Sequence, residues 1–132
     1  MARTLDDIER YILSSRIPSE PVGENTWILR DPVWHGAQIV IHVNDPLVVF
    51  RCKVLELSEN STDTQLARLF AHLLQLNASQ MLQGAYALEG NSVVAVETMQ
   101  LANLDENEFI AALDSLSLAI GDHRAGVVAA AA

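Results

Sequence analysis

Leu66-Ala67-Arg68-Leu69-Phe70-Ala71-His72-Leu73-Leu74-Gln75-Leu76-Asn77, then Gly84-Ala85-Tyr86-Ala87-Leu88-Glu89, then Ser92-Val93-Val94-Ala95-Val96-Glu97, and last Leu104-Asp105-Glu106-Asn107-Glu108-Phe109 running into residues 110–118, decide the fold. The first segment sets Leu66, Leu69, Phe70, Leu73 and Leu74 on one side at helical spacing, opposite Gln65, Arg68, His72 and Gln75. Thr62 with Gln65 three residues on makes a capping box at its start. The two middle segments read as strands joined at Gly90-Asn91, where glycine supplies the positive φ of a type II′ turn. Asp105 caps the last helix, with Glu108 three residues on. Its apolar side is Phe109, Ala112, Leu113, Leu116 and Ile120, and Gly121 stops it.

Upstream, Thr4 with Asp7 resembles another capping box, and Leu5, Ile8 and Ile12 repeat at helical spacing beside Tyr11. A helix over 5–15 follows, ended by Pro18. Pro18, Pro21 and Gly23 make 18–25 a loop. Residues 26–30, 38–43 and 47–57 read as strands, separated by the Asp31–Gly36 break and the Asn44-Asp45-Pro46 turn. The third alternates clearly, with Val48, Phe50, Cys52 and Val54 on one face and Val49, Arg51 and Lys53 on the other. The order is α-β-β-β-α-β-β-α. Short connections within the strand groups predict an α+β fold, an antiparallel sheet with helices packed on it. Residues 1–121 form one domain; residues 122–132, ending in Val127-Val128 and four alanines, read as a flexible tail.

A chain of 132 residues, half of them hydrophobic, buries roughly two-thirds of its unfolded surface and holds a core without staples. One cysteine, Cys52, permits no internal disulfide and fits a reducing compartment. The charged N-terminal segment with Asp6, Asp7 and Glu9 is not a signal peptide, and no apolar run approaches the ~20 residues of a transmembrane helix. A cytoplasmic protein without a membrane partner is expected. The net charge is -9, with eight basic residues against seventeen acidic, and nucleic-acid binding depends on Lys and Arg neutralising phosphates. No nucleic acid partner is expected either.

The chemistry-bearing residues have structural explanations. Asp105, Glu106 and Glu108 sit in the first turn of a predicted helix, where the dipole favours anions. The histidines, at 35, 42, 72 and 123, are never closer than seven residues, so the tight pair common in zinc sites is missing. Cys52 alternates inward, away from Arg51 and Lys53, as a buried thiol does. The six glycines are spaced like turns and form no phosphate loop. No catalytic residue, cofactor or metal ligand is therefore assigned, and an enzyme is the weakest reading.

Two features point instead to a protein partner. Val33 and Trp34 fall in the break between two strands, where Trp34 either anchors a partner from an exposed position or folds back over the sheet edge as a lid. The strand at 92–97 is apolar on both faces, through Val93 and Ala95 on one and Val94 and Val96 on the other. A second copy of the chain would cover the outer one, as would helix ends or the tail. Val33, Trp34, Val94 and Val96 are the candidate partner-binding residues.

The run from Leu73-Leu74-Gln75-Leu76-Asn77 through Gly84-Ala85-Tyr86, the Val93–Val96 strand and Leu101-Ala102-Asn103-Leu104 to the final helix resembles the type III secretion chaperone-like superfamily, closest to its YbjN-like and uncharacterised bacterial branches. The match covers roughly residues 60 to 120; the first half agrees in element order. The resemblance implies a small, acidic, cytoplasmic, mostly dimeric α-β-β-β-α-β-β-α protein that holds an extended segment of a client against apolar patches, with no catalytic residues. The expectation is a non-enzymatic, chaperone-like or adaptor homodimer with a protein or peptide client. The alternatives are a YbjN-like regulatory or structural dimer without a client, and a small-molecule binder.

Overall fold

The computed structural model describes residues 2–132. In chain order the elements are α1 (Leu5–Ser15), β1 (Ser19–Pro21), β2 (Thr26–Leu29), a 3₁₀ turn (Pro32–Trp34), β3 (Ile39–Asn44), β4 (Leu47–Glu56), α2 (Asp63–Ser79), β5 (Ala85–Glu89), β6 (Ser92–Gln100), α3 (Glu106–Gly121) and α4 (Arg124–Ala131). The helix starts obey the sequence signals. Thr62 Oγ1 accepts from the Gln65 N–H at 3.1 Å, and Gln65 Oε1 accepts from the Thr62 N–H at 2.8 Å. Asp105 and Glu108 make the same reciprocal pair at α3, so these carboxylates are occupied in satisfying first-turn amides.

All strands join one antiparallel sheet in the order β1-β2-β3-β4-β6-β5. The register aligns the buried residues in cross-strand rows. One row is Leu29, Ile39, Cys52, Ala95 and Tyr86; the next is Trp27, Ile41 and Phe50. These rows face the helices. Ile8, Tyr11 and Ile12 of α1, Leu69 and Leu73 of α2, Phe109, Leu113 and Leu116 of α3 and Val127 of α4 join them in one buried cluster. Phe109 sits at its centre, tilted against Tyr11 at 5.6 Å and Phe50 at 5.1 Å between ring centroids. The architecture is therefore two layers, helices on one face of the sheet and no helix core on the other.

The predicted element order holds, with two additions. Ser19–Pro21, inside the predicted loop, pairs with β2 as a short edge strand. In place of a tail, Arg124–Ala131 forms α4, which packs on α2 and buries Val127. Consequently His72, expected on the solvent side of α2, is half-buried under α4, while Leu74, expected inside, is 67% exposed.

Asn77 and Gly84, two residues that carry the family resemblance, have local explanations. The Asn77 side chain accepts from the Tyr86 N–H at 2.7 Å and donates to the Tyr86 carbonyl at 3.2 Å, so it pairs with β5 as another strand would. Gly84 adopts φ +79, and a Cβ there would stand 2.6 Å from the Val96 carbonyl oxygen. Gly84→Ala should therefore lower stability by about 2–4 kcal/mol, from left-handed strain plus backbone overpacking. Urea unfolding checks this; an unchanged midpoint would refute the close approach.

Candidate functional site

On the face away from the helices, the same register sets up different rows. Ile28, Val40, Arg51, Val96 and Ala85 lie side by side across five strands. Beside them run Thr26, His42, Val49 and Thr98. Ile28, Val40, Val49 and Val96 are half-buried, and none belongs to the core cluster. Thr26 Oγ1 and His42 Nδ1 are hydrogen-bonded at 2.7 Å, which ties down the polar pair in this row. The result is a mostly aliphatic sheet face with few charges on it.

Val94 lies on this face yet is only 4% exposed. Its cover comes from the same chain. Arg51 of β4 and Glu89 of β5 form an ion pair across the intervening β6, and their cross-strand partners there are Val96 and Ser92, on either side of Val94. Both side chains remain substantially exposed, at 42% and 53%, so the pair itself is worth little, about 0–1 kcal/mol. Burying a valine is worth about 1.5–3 kcal/mol, so covering Val94 with aliphatic stems is the larger effect.

Where β3 begins and β4 ends, this face dips into an open groove of about 730 Å³. Val40, Leu55 and Val94 contribute apolar lining, Arg51, Lys53 and Arg124 bring positive charge, and Glu56 and Glu89 bring negative charge. Lys53 pairs with Glu56 at 2.9 Å. Arg51 and Lys53 on the outer face were legible from alternation; Arg124 was not, because its segment carries no strand or amphipathic signal.

Both edges of the sheet are blunted. At β5, Asn77 occupies the outward N–H and C=O of Tyr86. At β1, the Arg30 N–H bonds the Pro18 carbonyl and the Val22 N–H bonds the Thr26 carbonyl. Antiparallel alternation then turns the Ser19 and Pro21 backbone groups outward, and proline has no N–H to offer. Charge, proline and a short strand are the usual protections of an exposed edge.

Of the two readings of Trp34, the exposed anchor is set aside, and Trp34 with it as a candidate partner-binding residue. The 3₁₀ turn that holds it starts with Asp31 Oδ1 accepting from the Val33 N–H at 3.0 Å. That turn packs against α3, and Trp34 is 2% exposed within the core cluster. The lid reading fits this position. Val33, beside it, is 66% exposed. The structure therefore brings Val94 and Val96 together on the outer face, with His35 to Gln38 lining the same groove, and points Trp34 elsewhere.

The titratable groups reinforce a structural reading. Cys52 is 1% exposed, and burial pushes its thiol up to about 12, so it carries no thiolate near neutral pH. Among the described residues no cluster of three His, Cys, Asp or Glu side chains could hold a metal ion, and no helix is long and apolar enough to cross a membrane.

The model of the CesT_Tir_1 family matches residues 1–132. Comparison with curated proteins finds no relative of similar sequence. Among solved structures, a chain of the heterodimeric complex ExoU–SpcU from the type III secretion system of Pseudomonas aeruginosa is similar, with TM-score 0.66 and 13% identity over 93% of this chain and 96% of that one. YbjN from E. coli aligns with TM-score 0.64 and 12% identity over 96% and 95%. The HopA1–SchA chaperone–effector complex gives TM-score 0.64 and 10% identity over 91% of each chain. At these identities the likeness is one of fold.

Two substitutions test the geometry. Trp34→Ala should cost about 3–5 kcal/mol of stability as a large core deletion; a variant as stable as the parent in denaturant titration would mean the indole is not packed. Asn77→Ala leaves the Tyr86 amide and carbonyl unpaired, at about 1–3 kcal/mol. It should also induce concentration-dependent association through the opened β5 edge, visible by analytical ultracentrifugation. A variant that stays at the parent's mass at every concentration would show the edge is protected by something else.

Proposed function

We propose, from the premise that this chain belongs to the CesT_Tir_1 family, that it is a non-enzymatic, cytoplasmic chaperone or adaptor which acts as a homodimer and holds an extended segment of a protein client. The observation that carries this reading is the helix-free sheet face with its aliphatic rows, Ile28, Val40 and Val96 in one and Val49 in the next. A sheet in a two-layer domain ordinarily turns polar residues to water on its outer side. The relatives support a protein partner: one similar structure is a chaperone–effector complex and another is a heterodimer from a secretion system.

The blunted edges select between two modes of capture. Strand addition needs a free row of backbone donors and acceptors. Asn77 interrupts that row on β5 and Pro21 on β1, so each edge offers it only in part. Capture therefore works through side chains on the outer face, where the client's apolar residues meet valine and isoleucine. The non-enzymatic reading is supported by the roles of the reactive groups: Asp105 and Glu108 cap α3, and Cys52 is a buried neutral thiol.

Dimer formation has one argument for it and one against. Val96 and its neighbours in the row leave apolar surface for a second copy, whereas Val94, the other outward valine of β6, is already covered within the chain. The experiment uses Val96→Lys, which adds a charge in the middle of the outer row without touching the core. Light scattering coupled to gel filtration reads the mass, and tagged capture with mass spectrometry reads the client. A central contact of this kind is worth about 2 kcal/mol or more, roughly thirtyfold in Kd. The variant should stay folded and lose its client. Retention of the same stoichiometric client would remove the outer face from the proposal, and a monomeric parent would remove the homodimer.

A further inference from the structure

Helix α4 is eight residues long, too short to persist alone in water. Its hold on the body is small and mixed. Val127 is its one fully buried side chain. Arg68 of α2 donates to the carbonyls of Ala130 and Ala132. Ala130 and Ala131 pack at the margin of the core, and the start of the helix is held by aromatic and polar groups. The His123 Nδ1 and the Tyr86 hydroxyl are hydrogen-bonded at 2.7 Å, with their rings tilted at 6.0 Å. His72 of α2 lies so close to the α4 backbone that a Cβ on Gly126 would stand 3.2 Å from its Nε2. Two imidazoles thus lie between α4 and the elements beneath it.

We infer that α4 is a latch, docked on α2, α3 and β4 while His123 at its start is neutral and released when that ring takes up a proton. The motivating geometry is the half-buried His123 bonded to Tyr86 where α4 begins, with the His72 ring against the Gly126 backbone one turn on. Burial lowers the His123 pKa from its ordinary value, His72 lowers it further, and Asp122 at the α3–α4 junction opposes this. The other groups at the contact do not offset an imidazolium. Tyr86 on β5 and Cys52 on β4 are both raised by burial and stay neutral near pH 7. Arg68 on α2 and Arg124 on α4 are permanently positive.

The direction follows from linkage. In the released form His123 titrates near its ordinary value of about 6.5; in the docked form it titrates lower. Above about pH 7 both forms are neutral and docking keeps its full strength. As pH falls through the ordinary value and towards the lowered one, the released form binds protons that the docked form refuses, and docking weakens. The Tyr86–His123 bond does not reverse this, because a protonated ring can still donate to the phenol oxygen while its charge remains desolvated. This inference is independent of the client-binding reading: it concerns the contact of α4 with α2, α3 and β4 and of His123 with β5, not the outer sheet face.

Amide hydrogen exchange on the intact protein tests it, corrected for intrinsic rates, between about pH 7.5 and about pH 5.5, the range over which histidine titrates. The expected result is loss of protection across 125–131 at the lower pH, with β4 and α3 amides unchanged. The double variant His72→Gln/His123→Gln keeps polar contacts without an imidazole at either position and should keep α4 protection constant over the range. Constant protection of α4 in the parent, or loss in the double variant equal to that in the parent, overturns the latch. An NMR titration of the parent needs no variant: His123 should titrate below its ordinary value, and a value at or above it also overturns the proposal.

Discussion

The strict alternation of β4 constrains everything else in this molecule. Phe50 and Cys52 must face the helices because Arg51 and Lys53 cannot, and a slip of one residue would exchange the two sets. Once β4 is fixed, its register with β3 and β6 carries the same choice outward, so that Ile39 and Ala95 join Cys52 while Val40 and Val96 join Arg51. The helices then have one face to cover, and Phe109 fills the space above Phe50. The register shifts only between Lys53 and Leu55, near the end of the strand. A shift in the middle would have broken the inner rows; near the end it leaves them intact, and the groove forms at this end of the sheet.

Where the sequence was legible, it was through short-range chemistry that the structure leaves unopposed. Capping boxes at Thr62 and Asp105, the glycine turn at Gly90 and the alternation of β4 are local signals, and each appears where the residues place it. The illegible parts are held by distant groups. Ser19–Pro21 has no strand propensity and exists because β2 presents an edge for it. The Pro32–Trp34 turn carries its tryptophan inward because α3 offers a surface to pack on, which an inspection of residues 31–36 alone does not reveal. Helix α4 is the extreme case: alanine-rich, with one buried valine, it is fixed by Arg68, Tyr86 and His72 from other elements.

The candidate site was half legible for the same reason. Val94 and Val96 stand out because two apolar residues on the outer side of a strand break the usual pattern. What the sequence did not show is that these two valines have different fates. Val94 falls under the Arg51–Glu89 pair, which joins strands separated by β6, while Val96 stays open to solvent in part. Only the strand order β4-β6-β5 makes that difference, since it places β6 between the two charges.

Strand order also explains why Asn77 is an asparagine. β5 is an edge strand, so Tyr86 would present an unpaired N–H and C=O to solvent beside an inward-pointing aromatic ring. α2 passes directly over that edge, and a primary amide is the one neutral side-chain group that donates and accepts in the geometry of a peptide. Aspartate could accept from the Tyr86 amide but would set a negative charge against the carbonyl; leucine would bury both groups unsatisfied, at about 1–3 kcal/mol each. Asn77 thus does two things at once: it fixes α2 against the sheet and it withdraws the edge from strand addition. The same amide therefore serves the packing of a helix and the termination of a sheet, and both follow from where α2 crosses β5.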